Sequence, residues 1–217
     1  MRKARLPGTS EEASVICLGT APYGTGTDED TAYKLMDTYV EHGGNFLDTA
    51  HVYGAWAEGG DGASEKVIGR WLAARGCRDD VFIATKGAHP VLDTGESRMS
   101  RRWIRTHLDQ SMDRLNVDLV DFYWLHRDDQ DVPVGDIVEW MNELVDEGLI
   151  RAFGHSNWTI ARQQAADVYA REHGLLPFEA SQVAWSLART RQANQGSGTV
   201  AMNQERRAWH QETRMPV

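Results

Sequence analysis

The apolar positions along the chain follow two alternating patterns. Nearly continuous apolar runs occupy residues 15–18, 81–84 and 119–125, and such runs are typical of parallel strands covered on both faces. Between these runs, apolar residues recur every three or four positions, which predicts amphipathic helices. The pattern therefore predicts an α/β chain in which a strand and a helix repeat in turn.

Six such strand–helix units are predicted in a single domain that covers residues 1–217. After a first strand that ends at Leu18, the predicted strands lie near residues 45–48, 81–86, 119–126, 151–155 and 179–187. The predicted helices lie near residues 35–40, 67–72, 104–115, 137–145, 159–172 and 204–213. Asp28 and Ser100 are expected to cap helix starts, and Gly148 is expected to end a helix.

Two segments fall outside this repeat. Residues 3–18 predict a β-hairpin around residues 8–10, whose second arm continues as the first strand of the barrel wall. Residues 186–199 carry Gly-Ser-Gly at 196–198 and predict a mobile loop. That loop is interpreted either as a lid over an active site or as a solvated loop without function.

Charge and cysteine content narrow the classes of function. The formal net charge is -9, and acidic and basic residues are interspersed, which argues against nucleic acid or an anionic membrane as a partner. Cys17 and Cys77 fit no metal-ligand spacing and no disulfide framework, so a reducing cytoplasm is the expected location. Neither a secretory signal nor a transmembrane segment is expected, because the basic N-terminus is followed by no apolar stretch.

Ionisable residues end three consecutive predicted strands. These residues are Asp48, Lys86 and His126, and Tyr53 lies shortly after the first of them. Active sites of β/α barrels form where strands end and loops begin, so the four side chains are expected to converge. An acid, an ammonium, an imidazole and a phenol at one rim favour proton transfer as the chemistry of the site.

Reduction of a carbonyl group would use this set of residues. The reaction needs a hydride donor on one side of the carbonyl carbon and a proton donor near its oxygen. Tyr53 is the candidate proton donor, because the ammonium of Lys86 can stabilise the phenolate that forms. Asp48 can keep Lys86 charged and oriented, and His126 can donate to the substrate oxygen.

The sequence resembles the aldo-keto reductase family in several long motifs that occur in family order. Residues 43–54, GGNFLDTAHVYG, resemble the signature around the catalytic acid, and residues 84–86 resemble the lysine strand. Residues 108–126 resemble the second signature, which ends at a histidine. Residues 154–158 and 181–182 resemble the segments that hold the nicotinamide carboxamide.

This resemblance implies a (β/α)8 barrel of the TIM type that uses NADPH without metal or flavin to reduce a small-molecule carbonyl. It implies Tyr53 as general acid, Lys86 and Asp48 as residues that tune it, and His126 as the residue that orients the carbonyl. The residues that it places near the nicotinamide end are Thr20, Asp48, Ser156, Asn157 and Gln182.

Other interpretations remain at this stage. The chain could be a non-catalytic remnant or a regulatory subunit that binds nicotinamide. A metal-dependent barrel hydrolase could use histidines near strand ends, namely His51, His89 and His155, although no H-x-H or H-E-x-x-H spacing supports it. Lys86 could instead form a Schiff base, but that reaction leaves the motif from Asp48 to Tyr53 without a role.

The pattern departs from the family in its number of units. Only a loop and one helix follow the sixth predicted strand, so two units of a (β/α)8 barrel are expected to be missing. Pro216 and Val217 resemble the opening of a seventh strand. Among the tryptophans, Trp56 and Trp158 are expected in loops that line a substrate pocket, whereas Trp124 is expected inside a strand.

Overall fold

A computed structural model describes residues 1–187 and 198–217 of the chain. The strands are β1 (Lys3–Arg5), β2 (Glu12–Ser14), β3 (Leu18–Gly19), β4 (Phe46–Asp48), β5 (Phe82–Gly87), β6 (Val120–Leu125), β7 (Ile150–Ser156) and β8 (Ser181–Gln182). The helices are α1 (Glu29–Glu41), α2 (Ala63–Arg75), α3 (Arg101–Leu115), α4 (Val134–Asp146), α5 (Ile160–His173) and α6 (Gln204–Thr213). The predicted alternation of strands and helices is confirmed.

The six strands from β3 to β8 form one parallel sheet in chain order. Each strand pairs with the next one along the chain, and a helix connects each pair from β3 to β8. Because a parallel connection must cross over the sheet, each helix packs on the outer face. This in-order pairing brings the carboxyl ends of all six strands to the same edge of the sheet.

Apolar side chains cover the sheet on both faces. The outer layer lies between strands and helices and contains large buried residues such as Trp71, Tyr123 and Phe153. The inner face carries its own cluster, formed by Ala13, Phe82, Ala84, Phe122, Trp124, Ala152 and Ala180. Burial on both faces explains why the strand segments read as continuous apolar runs rather than as alternating ones.

The predicted hairpin exists, but its second arm does not become the first strand of the parallel sheet. β1 and β2 pair antiparallel with Lys3 opposite Ser14, and β3 begins separately at Leu18. Between them, Ser14 donates its backbone N–H to Asn45 Oδ1 at 2.7 Å, and Tyr39 Oη donates to the carbonyl of Ile16 at 2.5 Å. These side chains form hydrogen bonds with backbone groups that a continuous strand would use for sheet pairing. Ile16, which lies between β2 and β3, is 62% exposed.

The strand predicted for residues 179–187 is also shorter than expected, because β8 contains only Ser181 and Gln182. Beyond it, Ala184 exchanges backbone hydrogen bonds with Val200 and Met202, so the chain pairs with the segment before α6. Most of the loop predicted at 186–199 lies outside the described residues. The carbonyl of Pro216 accepts a hydrogen bond from Ser181 N at 3.1 Å, which places this residue beside β8.

The predicted helix ends are confirmed by their local contacts. Asp28 accepts from Thr31 N at the start of α1, and Ser100 accepts from Trp103 N at the start of α3. Gly148 follows α4 with φ of 73°, a conformation that glycine adopts without the strain of a side chain. In the described part of the chain, no helix is both long and apolar enough to cross a membrane.

Candidate active site

Alternation along the strands explains how the predicted residues meet. Lys86 follows Phe82 and Ala84 at intervals of two, and both of those residues belong to the inner cluster. His126 lies two residues after Trp124 of the same cluster. Since successive side chains point to opposite faces of a strand, the residues spaced by two share the inner face. Asp48 ends β4 on that face, where it contacts Lys86.

The ammonium of Lys86 lies at the centre of the site. Lys86 Nζ is 2.5 Å from Asp48 Oδ2, 2.8 Å from the carbonyl oxygen of Thr49 and 3.2 Å from Tyr53 Oη. Its side chain is 1% exposed, so these three oxygens replace the water that an ammonium would otherwise bind. The lysine therefore connects the carboxylate to the phenol.

The charge of Lys86 is maintained despite its burial. Burial alone would lower the pKa of Lys86, but the charge of Asp48 and the contacts with Asp48 and Tyr53 outweigh it and raise the pKa above the usual value for lysine. The side chain is therefore an ammonium near neutral pH. A Schiff base requires a neutral amine as nucleophile, so this environment disfavours that alternative for Lys86.

Tyr53 and His126 face each other across the site. Their rings are 5.9 Å apart and nearly perpendicular, at 79°. Burial, followed by the positive charge of Lys86, lowers the pKa of His126 well below its usual value. The imidazole is therefore neutral near pH 7, and a neutral imidazole still has one N–H to donate. A ligand oxygen placed between the two rings can therefore contact the phenol of Tyr53 and the imidazole of His126 at the same time.

A buried glutamate supports the site from the outer face and was not predicted from the sequence. Glu65 is fully buried, and it accepts from Thr85 Oγ1 at 2.6 Å and from Arg114 Nη1 at 3.2 Å. Arg114 Nη1 also donates to the carbonyl of His51 at 3.1 Å. The ion pair of Glu65 and Arg114 thus links Thr85, the residue before Lys86, to the loop between Asp48 and Tyr53. The sequence does carry a signal for the burial of Glu65. This residue lies three positions before Ile68, so the two share the buried face of α2.

A second contact anchors both site loops on α3. His51 Nε2 lies 2.6 Å from Gln110 Oε1, and its ring stacks on that of His107 at 4.1 Å. His107 Nδ1 accepts the backbone N–H of Ala88 at 3.0 Å. Burial lowers the pKa of His107 to about 3, so the acceptor stays neutral. His51 and His107 therefore fix the loops after β4 and β5.

The predicted cofactor residues differ in whether their polar atoms already have hydrogen-bond partners in the protein. Asp48 keeps one oxygen, Oδ1, buried and without a hydrogen-bond partner among the described residues. Ser156 Oγ donates to the carbonyl of Gln182 at 2.9 Å, which ties the ends of β7 and β8 together. Asn157 donates to His126 O and accepts from Val200 N, so it braces neighbouring loops.

Thr20 is not brought to the same surface as the other cofactor candidates. It is fully buried, and its hydroxyl contacts the carbonyl of Asp48 at 2.9 Å and Ser64 Oγ at 2.8 Å. Ser64 in turn contacts Thr49 Oγ1 at 2.8 Å. These hydroxyls hold β3, β4 and α2 together, so Thr20 supports the Asp48 segment from behind.

The structure corrects the role expected for Trp158 and shows where His155 lies. Trp158 lies in the connection between β7 and α5, as expected, but it does not line a pocket, because it is fully buried and packs on Phe178 and on the ring of His155. His155 points into this outer core rather than toward Asp48. Trp56 is 57% exposed and lies 6.2 Å from the ring of Tyr53, where it can line a pocket. Among the described residues, no three metal-binding side chains converge.

Comparison with known sequences identifies the class of protein that this fold and site define. The sequence model of the Aldo/keto reductase family matches residues 15–203. The chain therefore belongs to the aldo/keto reductase family, whose fold is a (β/α)8 barrel. The parallel sheet with its outer helices has the alternation of that fold.

Three relatives illustrate the similarity. The uncharacterized oxidoreductase YrpG of Bacillus subtilis is 35% identical over 81% of this chain and 56% of its own length. Norsolorinic acid reductase B of Aspergillus parasiticus is 30% identical over 84% of this chain and 50% of its own length. The aldo-keto reductase YhdN of Bacillus subtilis is 34% identical over 82% and 53%. The chain thus spans about half the length of these relatives.

Proposed function

We propose that the protein reduces the carbonyl group of an aldehyde or ketone to an alcohol with NADPH as the reductant. Membership of the aldo/keto reductase family supports this reaction. The observation that carries the proposal is the buried ammonium of Lys86, which contacts both Asp48 Oδ2 and Tyr53 Oη. A phenol beside a permanent cation is suited to giving up its proton to a carbonyl oxygen.

Each of the four side chains has a distinct role in this proposal. Tyr53 transfers its proton to the carbonyl oxygen as the carbon is reduced, and the phenolate that results is stabilised by Lys86. Asp48 holds the ammonium in place through their contact at 2.5 Å. The neutral His126 donates its N–H to the same carbonyl oxygen, which orients the substrate and offsets the charge that develops there.

The residues present also fit a nicotinamide cofactor. Bound NADPH would supply the hydride to the carbonyl carbon. The unpartnered Oδ1 of Asp48 is a buried acceptor that a hydroxyl of the ligand can satisfy. Gln182, Ser156 and Asn157 lie at the ends of the neighbouring strands and would hold the nicotinamide end. Thr20 would act indirectly, through its contact with the backbone of Asp48.

Turnover with a panel of carbonyl compounds tests this proposal. The purified protein is mixed with NADPH or NADH and an aromatic aldehyde, an aliphatic aldehyde or a quinone, and loss of reduced nicotinamide absorbance is followed. Saturable oxidation that is faster with NADPH is expected. NADPH binding, seen by tryptophan fluorescence, without oxidation by any substrate would instead support a non-catalytic protein that binds nicotinamide.

A further inference from the structure

His89 is a half-buried residue in the loop that follows β5, and it borders the candidate active site. Its ring packs edge-on against that of His126, with the ring centres 4.7 Å apart and the planes at 78°. The ring of His126 in turn faces that of Tyr53 at 5.9 Å. His89 therefore lies next to the space in which the proposed reaction places the carbonyl oxygen of the substrate.

A contact with the backbone determines which nitrogen of His89 carries a hydrogen. His89 Nδ1 lies 2.7 Å from the carbonyl oxygen of Pro90. A carbonyl oxygen can only accept, so Nδ1 is the donor of this hydrogen bond. Burial lowers the pKa of His89, and the positive charges of Arg127 and Arg98 lower it further, although the contact with Pro90 opposes these effects. The imidazole is therefore neutral near pH 7, and its Nε2 is an acceptor.

The acceptor nitrogen of His89 has no partner in the described part of the chain. Nε2 makes no hydrogen bond there, and it is not among the fully buried polar atoms, so it remains open to a ligand. Two neighbouring histidines differ in this respect. His51 Nε2 contacts Gln110 at 2.6 Å. His107 Nδ1 accepts the backbone N–H of Ala88 at 3.0 Å. Those nitrogens fix loops, whereas Nε2 of His89 is left available.

The groups around the proposed carbonyl position need a ligand that both accepts and donates hydrogen bonds. Tyr53 and His126 each offer a hydrogen to the carbonyl oxygen. A carbonyl group cannot donate, so a simple aldehyde or ketone would leave Nε2 of His89 unpaired. A hydroxyl on the substrate can donate to Nε2 while the carbonyl oxygen accepts from the other two side chains. The imidazole rings are only 4.7 Å apart, so this hydroxyl must lie close to the carbonyl group.

The substrate is better placed than the cofactor to supply that hydroxyl. The residues proposed to hold the nicotinamide end lie at or just after the ends of β7 and β8. His89 instead follows β5, and β6 lies between β5 and β7 in the sheet. The contacts of the His89 ring are with His126 and with the carbonyl of Pro90. Its free nitrogen therefore belongs to the part of the site where the carbonyl group is reduced.

We infer that His89 is a specificity-determining residue that accepts a hydrogen bond from a hydroxyl group of the substrate. The preferred substrates are then hydroxycarbonyl compounds, with the hydroxyl on the carbon next to the carbonyl, rather than simple aldehydes or ketones. This inference rests on the proposed carbonyl reduction. His89 takes no part in proton transfer, which stays with Tyr53.

Two ketones that differ by one methyl group test the inference. The first, α-hydroxyacetophenone, has a hydroxyl beside its carbonyl, and the second, α-methoxyacetophenone, lacks that donor. His89→Phe keeps an aromatic ring against His126 but removes Nε2. This variant is expected to lower the hydroxy-to-methoxy ratio of kcat/KM by about three- to tenfold, mainly through KM for the hydroxy ketone. His89→Gln restores an acceptor and is expected to keep more of the ratio.

The matched control is His173→Phe. His173 makes the same kind of contact, from Nδ1 to the carbonyl of Tyr169 at 2.9 Å, but it is exposed at the end of α5. This variant is expected to leave the ratio of the two ketones unchanged. A loss of the ratio in His173→Phe as large as that in His89→Phe would overturn the inference.

The other outcomes separate the inference from the proposed function. Reduction of both ketones with a ratio that His89→Phe does not change would overturn the inference and leave the proposed function standing. Equal losses of kcat for both ketones would also overturn it, because His89 would then only position His126. A weaker affinity for NADPH in His89→Phe, with the ratio unchanged, would assign the hydroxyl to the cofactor and overturn it as well.

A binding measurement keeps the inference testable if neither ketone is reduced, a result that would count against the proposed function. The affinities of the protein for both ketones are then measured by calorimetry with NADPH present. Tighter binding of the hydroxy ketone that is lost in His89→Phe would support the inference. Equal binding of the two ketones, or a preference that His89→Phe does not change, would overturn it.

Discussion

Arg114 Nη1 bonds both to the buried carboxylate of Glu65 and to the backbone carbonyl of His51. Glu65 in turn accepts from Thr85, the residue before Lys86. This chain of contacts ties the lysine strand to the loop that carries Tyr53. The separation of the Tyr53 phenol and the Lys86 ammonium therefore depends on an ion pair outside the site itself.

Removing Glu65 is expected to be strongly destabilising. Glu65→Ala would remove the buried acceptor of Thr85 and one of the two carboxylates that bind Arg114, which keeps its contact with Asp61 at 2.6 Å, so we expect a cost of about 2–3 kcal/mol in the free energy of unfolding. Glu65→Gln keeps an acceptor for Thr85 and should cost less. The control is Glu29→Ala, which removes an exposed pair with Arg70 and should cost about 1 kcal/mol or less. Urea denaturation measures all three, and equal losses for Glu65→Ala and Glu29→Ala would contradict the account.

Much of the fold could be predicted because strands that are buried on both faces appear in the sequence as continuous apolar runs. Continuous apolar runs located β5 and β6 to within a residue or two of their observed ends. The first barrel strand and β8 could not be placed in this way. Their ends depend on Tyr39, Asn45 and the segment around Val200, which compete for backbone groups from distant positions.

The candidate site was predictable for a different reason, because ionisable residues end three consecutive predicted strands and the motifs around them resemble those of the family. Asp48, Lys86 and His126 were expected at one rim, and the structure brings them together with Tyr53. The supporting residues were harder to find. Glu65 and Arg114 lie on separate helices, and nothing in their sequence spacing shows that they meet. Whether the four site residues act as proposed remains a prediction.

The pair of Lys86 and Asp48 should show coupling in stability. Lys86→Met would leave the Asp48 carboxylate buried without a cation, and we expect a cost of about 3–5 kcal/mol. Replacing both residues, Lys86→Met with Asp48→Asn, should recover part of that loss because no buried charge remains. Denaturant unfolding of the single and double variants checks this. A double variant no more stable than Lys86→Met would show that the pair is not coupled.

Asp167 should make stability depend on pH. Burial raises the pKa of Asp167 to about 6, although a hydrogen bond from Gln163 partly opposes it. The folded-state pKa thus lies above the unfolded value of about 3.9, so stability is lost as pH rises through this interval. Asp167→Asn keeps the acceptor for Gln163 and does not titrate. It should stabilise the protein by on the order of 1 kcal/mol above about pH 7, after allowance for solvent screening.

The gain from Asp167→Asn should shrink at about pH 4.5, where the native carboxyl is mostly protonated. Melting temperatures at the two pH values measure the difference. Asp113→Asn is the control, because Asp113 is exposed on α3. An equal gain from Asp167→Asn at both pH values would show that ionisation of Asp167 is not its source.

The turnover number of Tyr53→Phe tests the central claim most directly. Removing one hydroxyl deletes the proposed proton donor, while the contact of Lys86 with Asp48 remains. We expect kcat for aldehyde reduction to fall by at least about a hundredfold, with the affinity for NADPH unchanged within about twofold. Tyr169→Phe, which removes an outer hydroxyl bonded to Glu139, is expected to behave like the parent protein. A Tyr53→Phe variant that binds NADPH and retains the parent kcat would contradict the assignment of Tyr53 as the acid.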